Sequence, residues 1–235
     1  MKKTIFLSAL TFALLFASLG FSQNQYTSRL KNELAVTKNP AQRFDLIIKI
    51  LENQDSYMVS QIDSSACAEL LRIAQSQNSD AMLATSYDWI GYYLYINKGD
   101  NAAGFEYYFK ALPLAEKAGD KRRISSICFD IAEVYRVLNN WEEYLNYTRR
   151  GGRNLPDKSS PKYDYMLVQY QRNMATYFLA TNQLDSAQHY GQVFSQTSGR
   201  LATRVFTSQA LSYNARLSIK LGQTEKAEFY FNELK

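Results

Sequence analysis

Two adjoining segments decide the fold of this chain. They read Ile90-Gly91-Tyr92-Tyr93-Leu94-Tyr95-Ile96-Asn97-Lys98-Gly99-Asp100 and Gly104-Phe105-Glu106-Tyr107-Tyr108-Phe109-Lys110-Ala111-Leu112. We interpret them as two helices joined by a tight turn at Gly99-Asp100, because glycine readily adopts the left-handed backbone that ends a helix. Small residues stand where the two helices must touch, with Gly91 on the first helix and Gly104 and Ala111 on the second. The large aromatic side chains between them are expected to fill the remaining space.

The same layout returns three more times along the chain. First-helix markers are separated by 41, 43 and 40 positions, at Gly91, Ala132, Ala175 and Ala215. Second-helix markers are separated by 40, 43 and 40 positions, at Gly104, Tyr144, Ala187 and Ala227. The equivalent turns read Asn139-Asn140, Asn182-Gln183 and Gly222-Gln223. Internal repeats of this length indicate a stacked array of helix pairs, because one helical hairpin cannot bury its apolar face alone.

Each first helix carries a large residue, an apolar–small pair and a further large residue, and each second helix alternates small and aromatic positions. In the four clear pairs these residues are Tyr87, Ile90-Gly91, Leu94, Gly104, Tyr108 and Ala111; Cys128, Ile131-Ala132, Tyr135, Tyr144 and Gly151; Gln171, Met174-Ala175, Phe178, Ala187 and Phe194; and Leu211, Ala215, Leu217, Ala227, Phe231 and Leu234. This pattern resembles the tetratricopeptide repeat over residues 41–235, although the period is nearer to 40 than to the usual length of about 34. One extra residue precedes Gly99, and Tyr144 occupies a position that usually holds a small side chain.

The resemblance implies an all-α protein, an α-solenoid of about five stacked antiparallel helix pairs. The pairs are expected at residues 41–76, 80–118, 121–154, 161–197 and 201–235, after a lead-in segment over residues 23–40. The segments expected to separate one pair from the next are Ala118-Gly119-Asp120, Leu155-Pro156-Asp157 and Thr197-Ser198-Gly199. The predicted core includes Trp89, Ile90, Leu94, Tyr108, Ile131, Tyr135, Met174, Phe178 and Leu217.

Residues 1–22 have the features of a secretory signal peptide. Lys2 and Lys3 supply a positive start, residues 5–19 are apolar and uncharged, and Gly20 and Ser22 have the spacing that signal peptidase reads. The apolar run is short for the roughly 20 residues of a membrane span, so an uncleaved anchor is the weaker alternative. No cysteine stands near the cleavage site, and no lipid anchor is expected. We therefore expect a periplasmic or secreted protein with no membrane span after cleavage.

Charge and motifs do not favour a nucleic-acid partner. Removal of the two N-terminal lysines lowers the formal net charge from +5 to +3. Neither a helix-turn-helix nor a zinc-finger pattern is present in the sequence, and an exported chain seldom meets nucleic acid. We therefore expect no nucleic acid among the partners of this protein.

Neither the cysteines nor the single histidine predict an active site. Cys67 and Cys128 fall on different helix pairs among small and apolar residues, so we expect two buried, free thiols. His189 falls on the outward side of a second helix without a cluster of Cys, Asp or Glu beside it, so no metal site is expected. The adjacent Glu142 and Glu143 point to different helix faces and cannot act as an acid–base pair. We therefore predict a protein that is not an enzyme and needs no cofactor.

Function is expected on the concave side of the array, which the first helices line in the family that this chain resembles. The groove-facing candidates by register are Asp88, Tyr92, Tyr95, Phe129, Glu133, Arg136, Gln169, Arg172, Thr176, Ser212, Arg216 and Lys220. Aromatic side chains stand toward the N-terminal half of the groove and cations toward the C-terminal half. This arrangement suits a protein or peptide partner that is acidic or ends in a carboxylate. The basic run at residues 149–153 is interpreted as a solvated helix end.

The leading hypothesis is a non-catalytic exported scaffold that binds a protein or peptide in this groove. One alternative is the sensory region of a signalling receptor, a histidine kinase or a transcriptional regulator, because the chain resembles the exported repeat-containing input regions of such proteins in Bacteroidetes-type genomes. The other alternative is an accessory protein for glycan handling or envelope assembly. Phe229, Phe231 and Leu234 leave the last helix without a polar cap, which predicts either self-association there or further repeats beyond residue 235.

Overall fold

The computed structural model describes residues 25–55, 64–201 and 203–234, and the regular structure in these ranges is helical throughout. The helices are α1 (residues 25–36), α2 (Pro40–Asp55), α3 (Ser64–Ser76), α4 (Asp80–Tyr92), α5 (Asn101–Ala118), α6 (Lys121–Val137), α7 (Trp141–Arg153), α8 (Tyr163–Ala180), α9 (Leu184–Leu201), α10 (Arg204–Lys220) and α11 (Thr224–Glu233), with a π-helical segment at Tyr93–Lys98. The all-α class predicted from the sequence is confirmed. The expected signal peptide, residues 1–22, lies outside the described residues.

The chain divides into two compact units, unit 1 (Met1–Ile73) and unit 2 (Ala74–Lys235). In unit 1 the predicted lead-in segment is helical, and it packs on α2 through the buried side chains of Leu30, Leu46 and Ile50. The guanidinium of Arg43 on α2 also donates hydrogen bonds of 2.8 Å to two carbonyl oxygens at and beyond the end of α1. The segment before residue 40 therefore contributes to the core of unit 1.

Unit 2 consists of four antiparallel helix pairs stacked in chain order, namely α4–α5, α6–α7, α8–α9 and α10–α11. Four of these helices begin after a side-chain oxygen that accepts a hydrogen bond from the backbone N–H three residues later, and these N-caps are Ser79, Asp100, Asp120 and Asn140. The turn inside each pair contains a left-handed residue, at Gly99, Asn139, Asn182 and Gly222. The turn positions predicted from the sequence are therefore confirmed.

The first helices of successive pairs in unit 2 lie closer together than the second helices do. Helix α4 contacts α6, α6 contacts α8 and α8 contacts α10, whereas direct contact between successive second helices is weaker or absent. A stack whose two layers differ in spacing curves toward the closer layer. The first helices therefore form the concave side of unit 2.

The extra residue before Gly99 is accommodated inside the helix rather than in the turn. Residues Tyr93–Lys98 form a π-helical segment at the end of α4, where the other first helices stay α-helical. A π turn contains one more residue than an α turn, so the insertion leaves the following turn and the start of α5 in register with the other pairs.

The core of unit 2 contains small residues opposite rings, as the repeat pattern predicts. A Cβ atom on Gly91 would lie 2.9 Å from the ring of Tyr108, so only glycine allows this contact. Tyr144 is 1% exposed, and its hydroxyl donates a 3.0 Å hydrogen bond to the carbonyl of Asn173 on α8. Of the predicted core residues, Trp89, Tyr108, Ile131, Met174 and Leu217 are buried, and Ile90, Leu94, Tyr135 and Phe178 are partly buried. Cys67 and Cys128 are both buried, and neither forms a disulfide, as predicted.

The sequence predicts a loop at Thr197-Ser198-Gly199, and this prediction is wrong because α9 continues to Leu201. Gly199 keeps a helical backbone, and a Cβ atom there would meet nothing within 4 Å. The hydroxyl of Ser198 donates a 2.8 Å hydrogen bond to the carbonyl of Phe194, which satisfies this side chain within the helix. The glycine is therefore an ordinary helical residue and does not mark a turn.

The register of the last pair also differs from the sequence prediction at one position. In each pair, the backbone N–H that follows the left-handed residue donates to a carbonyl near the end of the first helix. The acceptor carbonyls belong to Leu94, Tyr135, Phe178 and Ser218. Ser218, and not Leu217, is therefore the equivalent of the aromatic position in the last pair.

Candidate functional site

The first-helix face is the candidate binding surface of unit 2, and we define it by the partly or fully exposed side chains of Tyr95, Arg136, Arg172, Arg216 and Lys220. Tyr95 lies in the π-helical segment, Arg136 on α6 and Arg172 on α8, and the last two cations lie on α10. Electrostatic interactions link neighbours along this row, since Tyr95 interacts with Arg136 and buried Tyr144 interacts with both Arg136 and Arg172. The structure thus brings these predicted residues onto one side of unit 2.

Amide oxygens orient Arg172, and no carboxylate neutralises it among the described residues. Its Nε and Nη2 atoms donate to Oδ1 of buried Asn173 at 3.3 and 3.2 Å. Its Nη1 atom donates to Oε1 of Gln209 on α10 at 3.3 Å. Both acceptors are uncharged, so neither supplies a counter-charge to the guanidinium. Each terminal nitrogen also retains a second N–H that a ligand oxygen can accept.

Arg216 and Lys220 extend this positive surface along α10. Both side chains are exposed, and neither makes an ion pair within the described part of the chain. They follow Gln209 by seven and eleven residues, a spacing that places all three on one side of a helix. The C-terminal half of the first-helix face therefore carries three cations without a carboxylate partner in the described ranges.

The aromatic candidates at the other end of the face differ in their availability. Tyr92 is half-buried, with its ring packed edge-on against Trp89 at a centroid distance of 5.9 Å. Tyr95 is also partly buried, and burial raises the pKa of its hydroxyl, with Glu133 as the second cause. Tyr95 therefore presents a neutral phenol beside the charged side chains of α6.

Arg136 is paired within its own helix. Its Nε and Nη2 atoms donate to Oε1 of Glu133 at 2.9 and 2.6 Å. These hydrogen bonds are the main cause of the raised pKa of Arg136. A ligand anion would have to compete with Glu133, so Arg136 is a weaker anion site than Arg172.

Two residues expected to face the groove lie in the core instead. Phe129 is 1% exposed, and its ring packs so closely on α7 that a Cβ atom on Gly151 would lie 2.5 Å from it. Asp88 is 5% exposed and forms a buried ion pair with Arg123 of α6. Burial raises the pKa of Asp88, and Arg123 acts in the opposite direction. The prediction that Phe129 and Asp88 contact a ligand in the groove is wrong, because neighbouring helices cover this position in both pairs.

A groove of about 490 Å³ lies along α7 and was not recognised as a site in the sequence. Trp141, Leu145, Arg149 and Arg153 of α7 line it, together with Tyr177 of α8. The basic run was interpreted only as a solvated helix end. A comparison of the four pairs position by position could have revealed the groove, because the residues that fill the equivalent space in the preceding pair are replaced in α7.

The exposed apolar side chains of α11 form a separate surface. Phe229, Phe231 and Leu234 are 58%, 47% and 37% exposed. The repeat offset makes Leu234 the equivalent of Phe194, which is buried against Tyr213 of the next helix at a centroid distance of 6.3 Å. The last pair thus exposes a position that is covered in the preceding pair, and self-association through it stays a prediction.

The sequence predictions also concern the metal-ligating side chains and the single histidine. Within the described residues, no three His, Cys, Asp or Glu side chains are grouped closely enough to hold a metal ion. His189 is exposed, and its ring lies edge-on to Tyr190 at a centroid distance of 5.3 Å. No helix in the described ranges has both the length and the apolar character needed to cross a membrane.

These features define a helical repeat protein of the α-solenoid class. The crystal structure of BtubC (BKLC) from P. vanneervenii has a similar fold, with a TM-score of 0.64 over 91% of this chain and 87% of that chain. The two sequences are 15% identical, so the likeness shows the fold alone. No protein-family model matches the chain, and no curated protein matches its sequence.

Proposed function

We propose that this protein is an exported, non-catalytic scaffold of the tetratricopeptide type that binds an acidic or carboxylate-ended peptide of a partner protein on the first-helix face. The observation that carries the proposal is the unneutralised charge of Arg172, Arg216 and Lys220 in the described part of the chain. Charged hydrogen bonds from arginine to carboxylate are about twice as strong as neutral ones and fix the orientation of the ligand.

The length of the cationic strip suits a short peptide. Gln209, which orients Arg172, and Lys220 are 11 residues apart on α10. At about 1.5 Å per helical residue this separation is roughly 16 Å. An extended peptide covers that length with about five residues, at roughly 3.3 Å for each residue.

Charge reversal on the first-helix face tests this proposal. The mature chain and its Arg172→Glu/Arg216→Glu variant are used to recover partners from an envelope extract, and the recovered proteins are compared. The control is Arg204→Glu/Lys226→Glu, which changes the net charge equally at exposed positions outside the defined face. We expect the first variant to lose the partner and the control to retain it. Equal recovery by both variants would show that the first-helix face does not bind the partner.

A synthetic peptide that ends in Asp-Glu supplies the direct measurement. We expect amidation of its C-terminus to weaken binding to the parent protein, because one carboxylate partner of the cations is lost. We expect Arg172→Glu/Arg216→Glu to weaken binding of the free acid by at least about tenfold, the effect of one lost charged hydrogen bond. Helical circular dichroism of each variant confirms that the fold is retained.

A further inference from the structure

The groove along α7 exists because two phenylalanines of the preceding pair are replaced. In that pair, the rings of Phe105 and Phe109 on α5 pack against the next pair. Phe105 lies 5.8 Å from the ring of Tyr135, and Phe109 lies 6.2 Å from the ring of Tyr147. The offset of 40 residues between the second helices makes Leu145 and Arg149 of α7 the equivalents of these phenylalanines. The cluster of four rings between α5 and the next pair is therefore not repeated in full between α7 and the pair after it.

The aromatic side chains against which those phenylalanines pack nevertheless have aromatic equivalents in the next pair. Tyr135 and Tyr147 stack on each other with centroids 5.6 Å apart. Their equivalents at an offset of 43 residues, Phe178 and Tyr190, stack in the same way at 5.3 Å. Tyr177, which lines the groove, lies edge-on to Phe178 at 5.3 Å. The α7–α8 junction thus keeps the stacked pair of rings, with Tyr177 of the groove beside it, but lacks the two phenylalanines that pack against the equivalent pair.

The charges at this groove favour an anion. Arg149 and Arg153 line it together with a single carboxylate, Glu142. Neither arginine makes an ion pair with any residue in the described ranges, whereas Arg150, between them in sequence, pairs with Glu116 of α5. The arginine that faces α5 is therefore neutralised, and the two that face the groove are not.

We propose that this groove binds an aromatic carboxylate. The aromatic ring occupies the space left by the phenylalanine that Leu145 replaces, between Trp141, Leu145 and Tyr177. The carboxylate accepts hydrogen bonds from the guanidinium groups of Arg149 and Arg153, which are suited to bidentate contacts with such groups. The volume of about 490 Å³ is within the usual range for small-ligand sites. This site is separate from the first-helix face and does not depend on the function proposed for that face.

The ligand chemistry can belong to a free aromatic acid or to a partner protein with a C-terminal aromatic residue. The probes are therefore 3-phenylpropanoate and its neutral amide, and the tripeptide Gly-Gly-Phe with a free or an amidated C-terminus. Each is titrated into the mature chain by calorimetry at millimolar concentration. We expect both acids to bind and each amide to bind at least about tenfold more weakly, because the amide lacks the charge that the arginines recognise. The tighter of the two acids identifies the source of the natural ligand, and either order supports the shared chemistry.

Two variants separate the groove from the rest of the molecule. Arg149→Gln/Arg153→Gln should weaken binding of the acids at least about tenfold and leave binding of the amides unchanged. Leu145→Phe/Arg149→Phe rebuilds the preceding junction, and we expect it to abolish binding of all four probes without lowering the thermal midpoint. Arg204→Gln/Lys226→Gln, which removes two cations at exposed positions outside both surfaces, is the matched control and should bind the probes like the parent protein.

Three results would overturn the proposal. The first is that neither acid binds to the parent chain. The second is binding of an amide as tight as that of its acid, because the arginines would then have no role. The third is unchanged binding to a folded Leu145→Phe/Arg149→Phe variant, because the ring would then lie elsewhere. The Gln double variant, which only removes surface charge, keeps the test decisive if the phenylalanine variant does not fold.

Discussion

The backbone N–H of Asp100 donates a 3.0 Å hydrogen bond to the carbonyl of Leu94, across six residues. The equivalent bond in the next pair, from Asn140 to Tyr135, is 2.9 Å long and spans five residues. The inserted residue thus lengthens the helix end to a π turn and leaves the closing bond in place. This difference predicts that unit 2 tolerates a deletion at the end of α4 and does not tolerate one at the end of α6.

Deletion of Ile96 tests this prediction. It shortens the separation of Asp100 from Leu94 from six residues to five, so we expect the segment to become α-helical and the thermal midpoint to stay the same or rise. The matched control is deletion of Val137, which is 44% exposed where Ile96 is 48% exposed. That deletion removes a residue from a regular turn, and we expect a loss on the order of 1–3 kcal/mol. Thermal melts followed by circular dichroism measure both effects. Equal losses of stability in the two deletion variants would contradict the interpretation that α4 carries one inserted residue.

Gly151 and Gly199 predict opposite effects of the same substitution. Alanine at Gly151 would place a Cβ atom 2.5 Å from the ring of buried Phe129, so we expect a loss of roughly 1–3 kcal/mol from overpacking. Gly199 is also helical, and nothing lies within 4 Å of its Cβ position, so alanine there should stabilise the chain by about 0.5–1 kcal/mol. Urea denaturation shows whether each substitution lowers or raises the free energy of unfolding. Stabilisation by Gly151→Ala would show that the ring of Phe129 lies elsewhere.

The sequence predicted the helix pairs well because their ends depend on local chemistry. Gly99 and Asn139 mark turns since they tolerate the left-handed backbone, and Asp100 and Asn140 cap the following helices. Gly199 misled the boundary of α9 because a glycine without a positive φ is only a permissive helical residue. Local chemistry identifies a turn only where the backbone requires an unusual conformation.

The positions of side chains between pairs were harder to predict. Spacing along one helix shows which residues share a face, but not how far the next pair covers that face. Phe129 and Arg172 are equivalent in register, yet Phe129 is buried and Arg172 is partly exposed. The groove along α7 also depends on packing between pairs. It becomes visible only when Leu145 is compared with Phe105 in the preceding copy.

The buried ion pair of Asp88 and Arg123 predicts a large loss when one partner is removed. Both side chains are 7% exposed, and Oδ1 of Asp88 and Nε of Arg123 have no hydrogen-bond partner among the described residues. Asp88→Ala would leave the guanidinium buried without its counter-charge, so we expect a loss of about 3–5 kcal/mol. Denaturant unfolding gives the free energy of unfolding for this variant.

Two further variants make the test of this pair specific. Asp88→Leu/Arg123→Met replaces both charges by apolar groups, and we expect its stability to lie within about 1 kcal/mol of the parent protein. Glu133→Ala removes one partner of an exposed pair and should cost less than about 1 kcal/mol. A double variant as unstable as Asp88→Ala would show that packing around Asp88, and not an unpaired charge, causes the loss.

The thiol of Cys128 should be almost inert in the folded protein. Cys128 is completely buried on α6, and burial raises its pKa to about 12. At pH 8 roughly one thiol in 10⁴ is then ionised, against roughly one in four in an unfolded chain, and only the thiolate reacts. With Cys67→Ser leaving a single thiol, we expect modification by a disulfide reagent to be at least about 10³-fold slower in buffer than in denaturant. The folded rate should rise about tenfold for each pH unit between 8 and 10, because the pKa lies above this range. A folded protein that reacts at the unfolded rate would place Cys128 on the surface and contradict the register of α6 against α5 and α7.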